Sequence, residues 1–241
     1  MKIIADYHTH TIYSDGKSTI EDNVVEAIKK GLKTIGISDH GPGHLGFGVK
    51  KKNYPIILDE IKRLREKYQN IEILLGIEAN IMDDKGNIDL YDDIRDYFDY
   101  VMAGYHFGST PQNIRGIRNH FNNFIKPLKS LEVDYNTRAL TEALRQNDIF
   151  ILTHPGDKGD VYIEEVAKAA IETNTVLEIN SSHHNLTEEQ ILKIKDISED
   201  LKFSLGSDAH ISDLVGDVEI AIKRAINTNL DPARIINIQE V

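Results

Sequence analysis

Histidine and carboxylate residues recur in this chain at or just past the ends of short apolar runs, in ADYHTH, YSDG, GISDHGP, LLGIEAN, VMAGYHFG, ILTHPGD and LGSDAH. They are His8, His10, Asp15, His40, Glu78, His106, His154, Asp208 and His210. Neutral imidazoles and carboxylates are the groups that hold Zn²⁺, Mn²⁺ or Fe, and a polynuclear site needs about this many. The chain has no cysteine, so every ligand must be nitrogen or oxygen. The pattern points to a metallohydrolase with a polynuclear site for Zn²⁺, Mn²⁺ or Fe.

Spacing refines that reading. His8 and His10 are one residue apart, so in extended backbone both project from one face. Asp208 and His210 repeat the spacing, and the two pairs are expected to face each other across the fold. Glu78 ends the apolar run LLGIE, where an unpaired carboxylate is costly to bury, and its two oxygens suit it to bridge two cations. His106 and His154 follow VMAGY and IFILT; each alone reads more often as a hydrogen-bonded core histidine than as a ligand, and together with Glu78 they are candidates for a second metal set. Asp15, before Gly16, is on its own a turn former. Asp39 is a candidate to accept the other N–H of the neighbouring His40. Arg115, Arg118, Lys158 and His183 lie in loops near strand ends and are candidates for binding substrate. His44 and His184 are placed similarly, with a structural role equally open to them, and Asn180 is expected to support a ligand rather than bind metal.

The elements that must position these groups alternate along the whole chain. Runs at 3–8, 34–40, 71–78, 100–106, 149–154, 175–180 and 203–208 are short and rich in Ile, Val, Leu or Phe, as strands buried on both faces are. Helices lie between them. Ser18 with Glu21 reads as a capping box ahead of Ile20, Val24, Ala27 and Ile28, with Gly31 as the stop. Thr187 with Gln190 repeats the signal, Asp160 is a candidate cap for the helix of Val166, Ala169 and Ala170, and 213–227 is a further amphipathic run. Seven βα repeats with polar residues at the strand C-termini indicate a closed α/β barrel rather than an open sheet. The longest connection, 107–148, opens on the polar stretch FGSTPQNIRGIRNH, a candidate substrate lid, and continues through one or two helices.

At 241 residues, with neither a linker nor a low-complexity tract, 1–241 is expected to be a single domain. The net charge of −11 and pI near 5.4 leave no basic stripe for nucleic acid. A small phosphate ester remains compatible, because bound cations reverse the local field. No apolar run approaches a membrane span of about 18 residues, and the N-terminus MKIIADYH does not read as a signal peptide. A cytoplasmic enzyme is expected; a homo-oligomer is compatible with the sequence but not required by it.

Taken in order, HTH, SDG, SDHGP, GIEAN, YH, THPGD, LEINSS and GSDAH resemble the motifs of the PHP (polymerase and histidinol phosphatase) family over nearly the whole chain. GPGH after His40, EANI, AGYH, THPGD and EINSS are most similar to its YcdX-like phosphatase branch, although Asp15 stands where those members usually carry His. The resemblance implies a distorted (β/α)7 barrel holding two or three divalent ions, zinc first, with manganese or iron as alternatives. It also implies one ion on His8, His10, Glu78 and Asp208, a second on Glu78, His106 and His154, and a third on Asp15, His40 and His210.

The reaction implied is hydrolysis of a small phosphomonoester by a metal-bridging hydroxide held by Glu78, Asp208, His8 and His10, with water ionised near neutral pH. No Cys nucleophile or GxSxG elbow offers a covalent route. Histidinol phosphatase is the nearest enzymatic alternative. A metal-stabilised binding module without catalysis and a C–N hydrolase of amidohydrolase type are the alternatives of other classes.

Overall fold

Apolar runs too short for helices pair side by side in the computed structural model, which describes residues 1–239. The strands are β1 (Lys2–Ile3), β2 (Ala5–Asp6), β3 (Thr34–Ile37), β4 (Glu72–Asn80), β5 (Tyr100–Gly104), β6 (Ile151–Leu152), β7 (Val176–Asn180), β8 (Phe203–Gly206) and β9 (Ile238–Gln239). The helices are α1 (Ile20–Lys29), α2 (Tyr54–Lys67), α3 (Asp92–Arg95), α4 (Ile114–Phe124), α5 (Val133–Gln146), α6 (Ile163–Thr173), α7 (Glu188–Ile194) and α8 (Glu219–Asn227).

Strands β2 to β8 form one parallel sheet in sequence order. The seam between β2 and β8 closes just beyond the last ladder pairs, where Thr9 bridges Ala209 in parallel and the His10 N–H donates to the Ala209 carbonyl at 2.8 Å. The result is the seven-stranded α/β barrel expected from the sequence, nearly closed, with helices between its strands. β1 and β9 pair antiparallel as a separate two-stranded clasp. Among the described residues no helix is long and apolar enough to cross a membrane.

Some expected boundaries move, for identifiable reasons. The 3–8 run splits into β1 and β2 because Ile4 turns its N–H to Asn237 and its carbonyl to Lys33 and Thr34. The capping box of α1 is Thr19 with Asp22, one residue later than Ser18 and Glu21, and the helix starts at Ile20 with Ile20, Val24 and Ala27 in the core. Ser18 instead accepts from the Ser212 N–H, and Glu21 pairs with Lys67 and Arg63. Thr187 and Gln190 do cap α7. Asp160 does not cap α6; its carboxylate pairs with Lys129 at 3.1 Å. The 213–227 run divides into a 3-10 turn at Ser212–Leu214 and α8, with Gly216 at φ +72° in between.

Side chains fill the barrel to different degrees at its two ends. Tyr100 passes close to Gly36 and Gly76, where an added Cβ would strike its ring, and its hydroxyl donates to the Tyr7 carbonyl. At the N-terminal ends of β5 and β6 a cavity of about 690 Å³ opens between Tyr7, Tyr100, Phe150 and three aspartates, with no imidazole in its wall. The histidines gather at the other end.

Candidate metal centre

The strand C-termini deliver the candidate residues to one cavity of about 480 Å³, walled by Asp15, His40, Glu78, His106, His154, Asp208 and His210 together with His44, Phe47, Phe107, Gly108, Lys158 and His183. His8 and His10 lie beneath it, fully buried. Their Nε2 atoms are 3.1 Å apart, so the two imidazoles converge as the one-residue spacing predicts. Barrel closure puts β2 beside β8. His8 and His10 are therefore neighbours of Asp208 across the seam rather than facing it across the barrel, with His10 Nε2 3.2 Å from Asp208 Oδ1.

Glu78 is the hub. Its Oε1 lies 3.1 Å from His154 Nε2, 3.3 Å from His106 Nε2 and 3.4 Å from His8 Nε2. Its Oε2 lies 3.0 Å from His40 Nδ1 and 3.7 Å from His10 Nε2. Asp15 completes the outer side, with Oδ2 3.3 Å from His210 Nε2 and 3.5 Å from His40 Nε2. His154 (φ +28°) and Asp208 (φ +54°) both sit in the left-handed region, uncommon for non-glycine residues and characteristic of sites where surroundings impose the backbone.

Electrostatics follow from this crowding. Burial acts to raise Glu78 and Asp208, but the surrounding imidazoles, His106 and His8 for the first, His8 and His10 for the second, hold both well below the usual carboxylate range. Burial acts to lower His40, yet Asp15 and Glu78 carry it to about 10. Burial dominates at His106, which falls to about 3, and at His44, which falls to about 4 with His40 beside it.

The donor set fits divalent cations. His8 Nδ1–H donates to Glu178 Oε1 at 2.7 Å and His106 Nδ1–H to Asn80 Oδ1 at 2.9 Å, so that in the neutral rings metal ligation requires, each Nε2 turns its lone pair toward Glu78. Nε2 of His106 lies 3.4 Å from Nε2 of His154, and Nε2 of His8 3.1 Å from Nε2 of His10, so the ring nitrogens converge in pairs as ligands to a shared cation would. His10 Nδ1 and His40 Nδ1 are buried without a hydrogen bond, the latter close to Glu78 Oε2 but off the hydrogen-bonding direction. Four groups have ligand atoms within 4.8 Å of one another: His10, Asp15, His40 and His210; His8, His10 and Glu78; His40, Glu78 and His106; and His154, His183 and Asp208. Such a buried set without an Arg or Lys partner has the chemistry of a site that could hold metal ions.

The same pattern is known elsewhere: residues 6–182 match the model of the PHP domain family. The chain belongs to the PHP domain family. A probable phosphatase of Thermoanaerobacter sp. is 35% identical, the alignment covering 98% of this chain and 91% of that one. A probable phosphatase of Caldanaerobacter subterraneus subsp. tengcongensis is 34% identical over 98% and 88%. These relatives place the present PHP domain among phosphatases. The fold is similar to that of the histidinol phosphate phosphatase of Lactococcus lactis, solved with zinc, L-histidinol and phosphate, at TM-score 0.61 and 17% identity over 93% of this chain and 94% of that one.

Several residues of this PHP domain lie elsewhere than the sequence suggests. Arg115 and Arg118 both turn to Glu132, Arg115 also covering the Tyr135 ring, and neither reaches the cavity wall. The reason is that 114–124 is helix α4 rather than a lid; of the expected loop, Phe107 and Gly108 reach the cavity. Lys158 and His183 do line it, linked through Asp157, whose carboxylate is 2.6 Å from Lys158 Nζ and 3.1 Å from His183 Nδ1. Burial acts to lower His183, but Asp157 and Asp208 hold it up at about 9. Asp39 does not orient His40. It accepts from the Thr11 N–H and hydroxyl and from the Ser14 hydroxyl, fixing the turn that carries Asp15. Asn180 plays the supporting role expected, donating to Glu178 and to Asp208. His184 is exposed and outside the wall.

Sequence reasoning missed Glu178, which also accepts from the His154 backbone N–H at 2.9 Å. It missed Asn80 and Asp89 as well, the second holding Asn80 by its N–H and Nδ2. The available signal for Glu178 was a charged residue inside the apolar run TVLEIN, where burial demands a partner.

Proposed function

We propose that this chain is a metal-dependent phosphatase that hydrolyses a small phosphomonoester, with two or three divalent ions held by His8, His10, Asp15, His40, Glu78, His106, His154, Asp208 and His210. The observation that carries the reading is the position of Glu78, one oxygen toward His8, His106 and His154 and the other toward His10 and His40. Bound there, divalent cations supply positive charge for phosphate oxygens and a water nucleophile ionised near neutral pH.

The chain's own residues do the rest. Glu178 and Asn80 fix the tautomers of His8 and His106 through their Nδ1–H groups. Among the described residues Lys158 is the Lys or Arg side chain in the cavity wall, placed to bind a phosphate oxygen as a point charge. Asp157 orients both Lys158 and His183. His44, Phe47 and Phe107 wall the mouth and limit water around the ester. At about 480 Å³ the cavity suits a metabolite rather than a polymer.

The test is metal content by mass spectrometry on protein purified without chelator, paired with p-nitrophenyl phosphate hydrolysis by wild type and Glu78→Ala. Two or three ions per chain, with metal and activity lost together in the variant, is the expected result. One ion or none, with no hydrolysis after reloading with Zn²⁺ or Mn²⁺, sinks the reading. Histidinol phosphate is the first specific substrate to try, since the Lactococcus lactis protein was solved with its two products.

A further inference from the structure

Helix α4 is built inside out. Its inward face is polar: Asn119 donates to the Tyr105 hydroxyl at 2.9 Å, Asn122 to Glu132, and Asn123 and Asn136 exchange a reciprocal pair of amide hydrogen bonds at 2.9 and 3.0 Å. Its outward face carries Ile114, Ile117, Phe121 and Phe124, exposed to 85%, 58%, 61% and 77%. An amphipathic surface helix normally turns its apolar stripe to the core. Here amide pairs hold the helix to the barrel and leave the stripe in water.

The stripe has a specific form. Its spacing of three, four and three residues is that of a and d positions in a heptad, and the buried Gly116, Asn119, Asn122 and Asn123 fall at the positions opposite. A narrow two-in-seven seam of this kind matches another helix with the same seam. At about 200 Å² for a fully exposed large side chain, the four residues present on the order of 550 Å², near the top of what a monomer leaves bare. That is about two thirds of the ~800 Å² each partner buries in a standard interface, and Phe107, packed on Phe124 with ring centroids 5.8 Å apart, extends it toward the cavity mouth.

Charge selects the occupant. Among 39 acidic residues in a chain of net charge −11, none is on α4, so two copies meeting there avoid the repulsion felt elsewhere. An anionic lipid surface is disfavoured by the same net charge, and Arg115 and Arg118, the basic side chains that would greet it, are directed to Glu132. We propose that α4 is the interface of a two-fold homodimer, two copies of the helix packing antiparallel with Ile117 against Phe121 of the other copy, beside the mouth of the metal cavity.

The experiment is sedimentation velocity of the metal-loaded protein over a dilution series, for wild type and Ile117→Glu/Phe121→Glu. The expected result is a wild-type dimer that dissociates on dilution and a variant that is monomeric throughout with unchanged circular dichroism. Because the chain has no cysteine, equimolar Ile117→Cys and Phe121→Cys chains provide a second reading, forming the mixed disulfide in preference to either symmetric one. A monomeric wild type at every concentration, a dimer untouched by the double variant, or flotation of a monomer with anionic vesicles overturns the proposal.

Discussion

Glu178 Oε1 sits 2.7 Å from His8 Nδ1 although 170 residues separate them, and both side chains are buried. A carboxylate behind an imidazole fixes the ring's tautomer and raises the basicity of the nitrogen opposite. Glu178→Gln preserves the shape and removes the charge. It should weaken metal retention by about 10-fold to 100-fold, read by competition with a chelator, with kcat/KM falling in parallel at limiting metal. Retention equal to wild type would show that Glu178 is a packing residue only.

Metal removal should cost global stability. A ligand at 100 to 1,000 times its Kd stabilises by about 3–4 kcal/mol. For a domain of this size each kcal/mol moves Tm by about 2–4 °C, so chelation should lower Tm by about 5–15 °C, reversibly on adding Zn²⁺ or Mn²⁺. A Tm indifferent to chelator would contradict a buried polynuclear centre.

The metal-free protein should respond to pH with a definite sign. His40 is carried up to about 10 by Asp15 and Glu78. A raised histidine contributes stability that is complete below its unfolded pKa of about 6.5 and declines as pH climbs toward 10. Glu78 and Asp208 are held low, so their contribution is present above about 4 and lost in acid. His106 and His44, held down at about 3 and about 4, contribute stability that is complete above about 6.5 and lost as pH falls, so the apo Tm should peak at about pH 6.5, fall by pH 5 and fall again between pH 7 and 9. Metal binding needs neutral imidazoles, so the gain in Tm on loading should grow over the same interval. Thermal scans with and without metal at pH 5, 7 and 9 compare the two trends.

Lys158→Ala should raise KM for a phosphomonoester about tenfold, the equivalent of about 1.4 kcal/mol of phosphate binding, with a smaller change in kcat. The position of Lys158 in the cavity wall, tied to Asp157, motivates it. Inhibition by inorganic phosphate should weaken to the same extent, and unchanged values for both would remove Lys158 from substrate binding.

Gly206→Ala tests the packing behind the centre. A Cβ at this position would strike the Glu178 carboxylate. Overpacking of this kind costs about 1–3 kcal/mol. Chemical denaturation should show that loss, and metal retention should fall with it because Glu178 is displaced from His8.

What was legible in the sequence was local. Strand-end residues such as His106 and Asp208 announce themselves by recurrence, because a single titratable side chain closing an apolar run reads as a core residue and the same feature at the end of strand after strand reads as a rim. What was not legible depended on contacts between distant segments. Glu178 becomes a partner of His8 once β7 and β2 share a barrel, and Asp39 turns to Thr11 and Ser14 instead of its neighbour. Ser18-x-x-Glu21 is the better capping box on paper, and core burial of Ile20, Val24 and Ala27 selects Thr19-x-x-Asp22 instead. The inverted helix α4 defeats the usual rule: its apolar period suggests a buried stripe, whereas its asparagines supply the inward contacts.

The seam at Thr9 and Ala209 has a consequence for biosynthesis. Its two sides stand 200 positions apart in the chain, and the centre draws on both, His8 and His10 from one and Asp208 and His210 from the other. A nascent chain emerges N-terminus first. Until residue 210 has cleared the ribosome, the imidazoles of the first strand have no opposite bank, so ring closure, and with it the joining of His8 and His10 to Asp208, is a late event of synthesis.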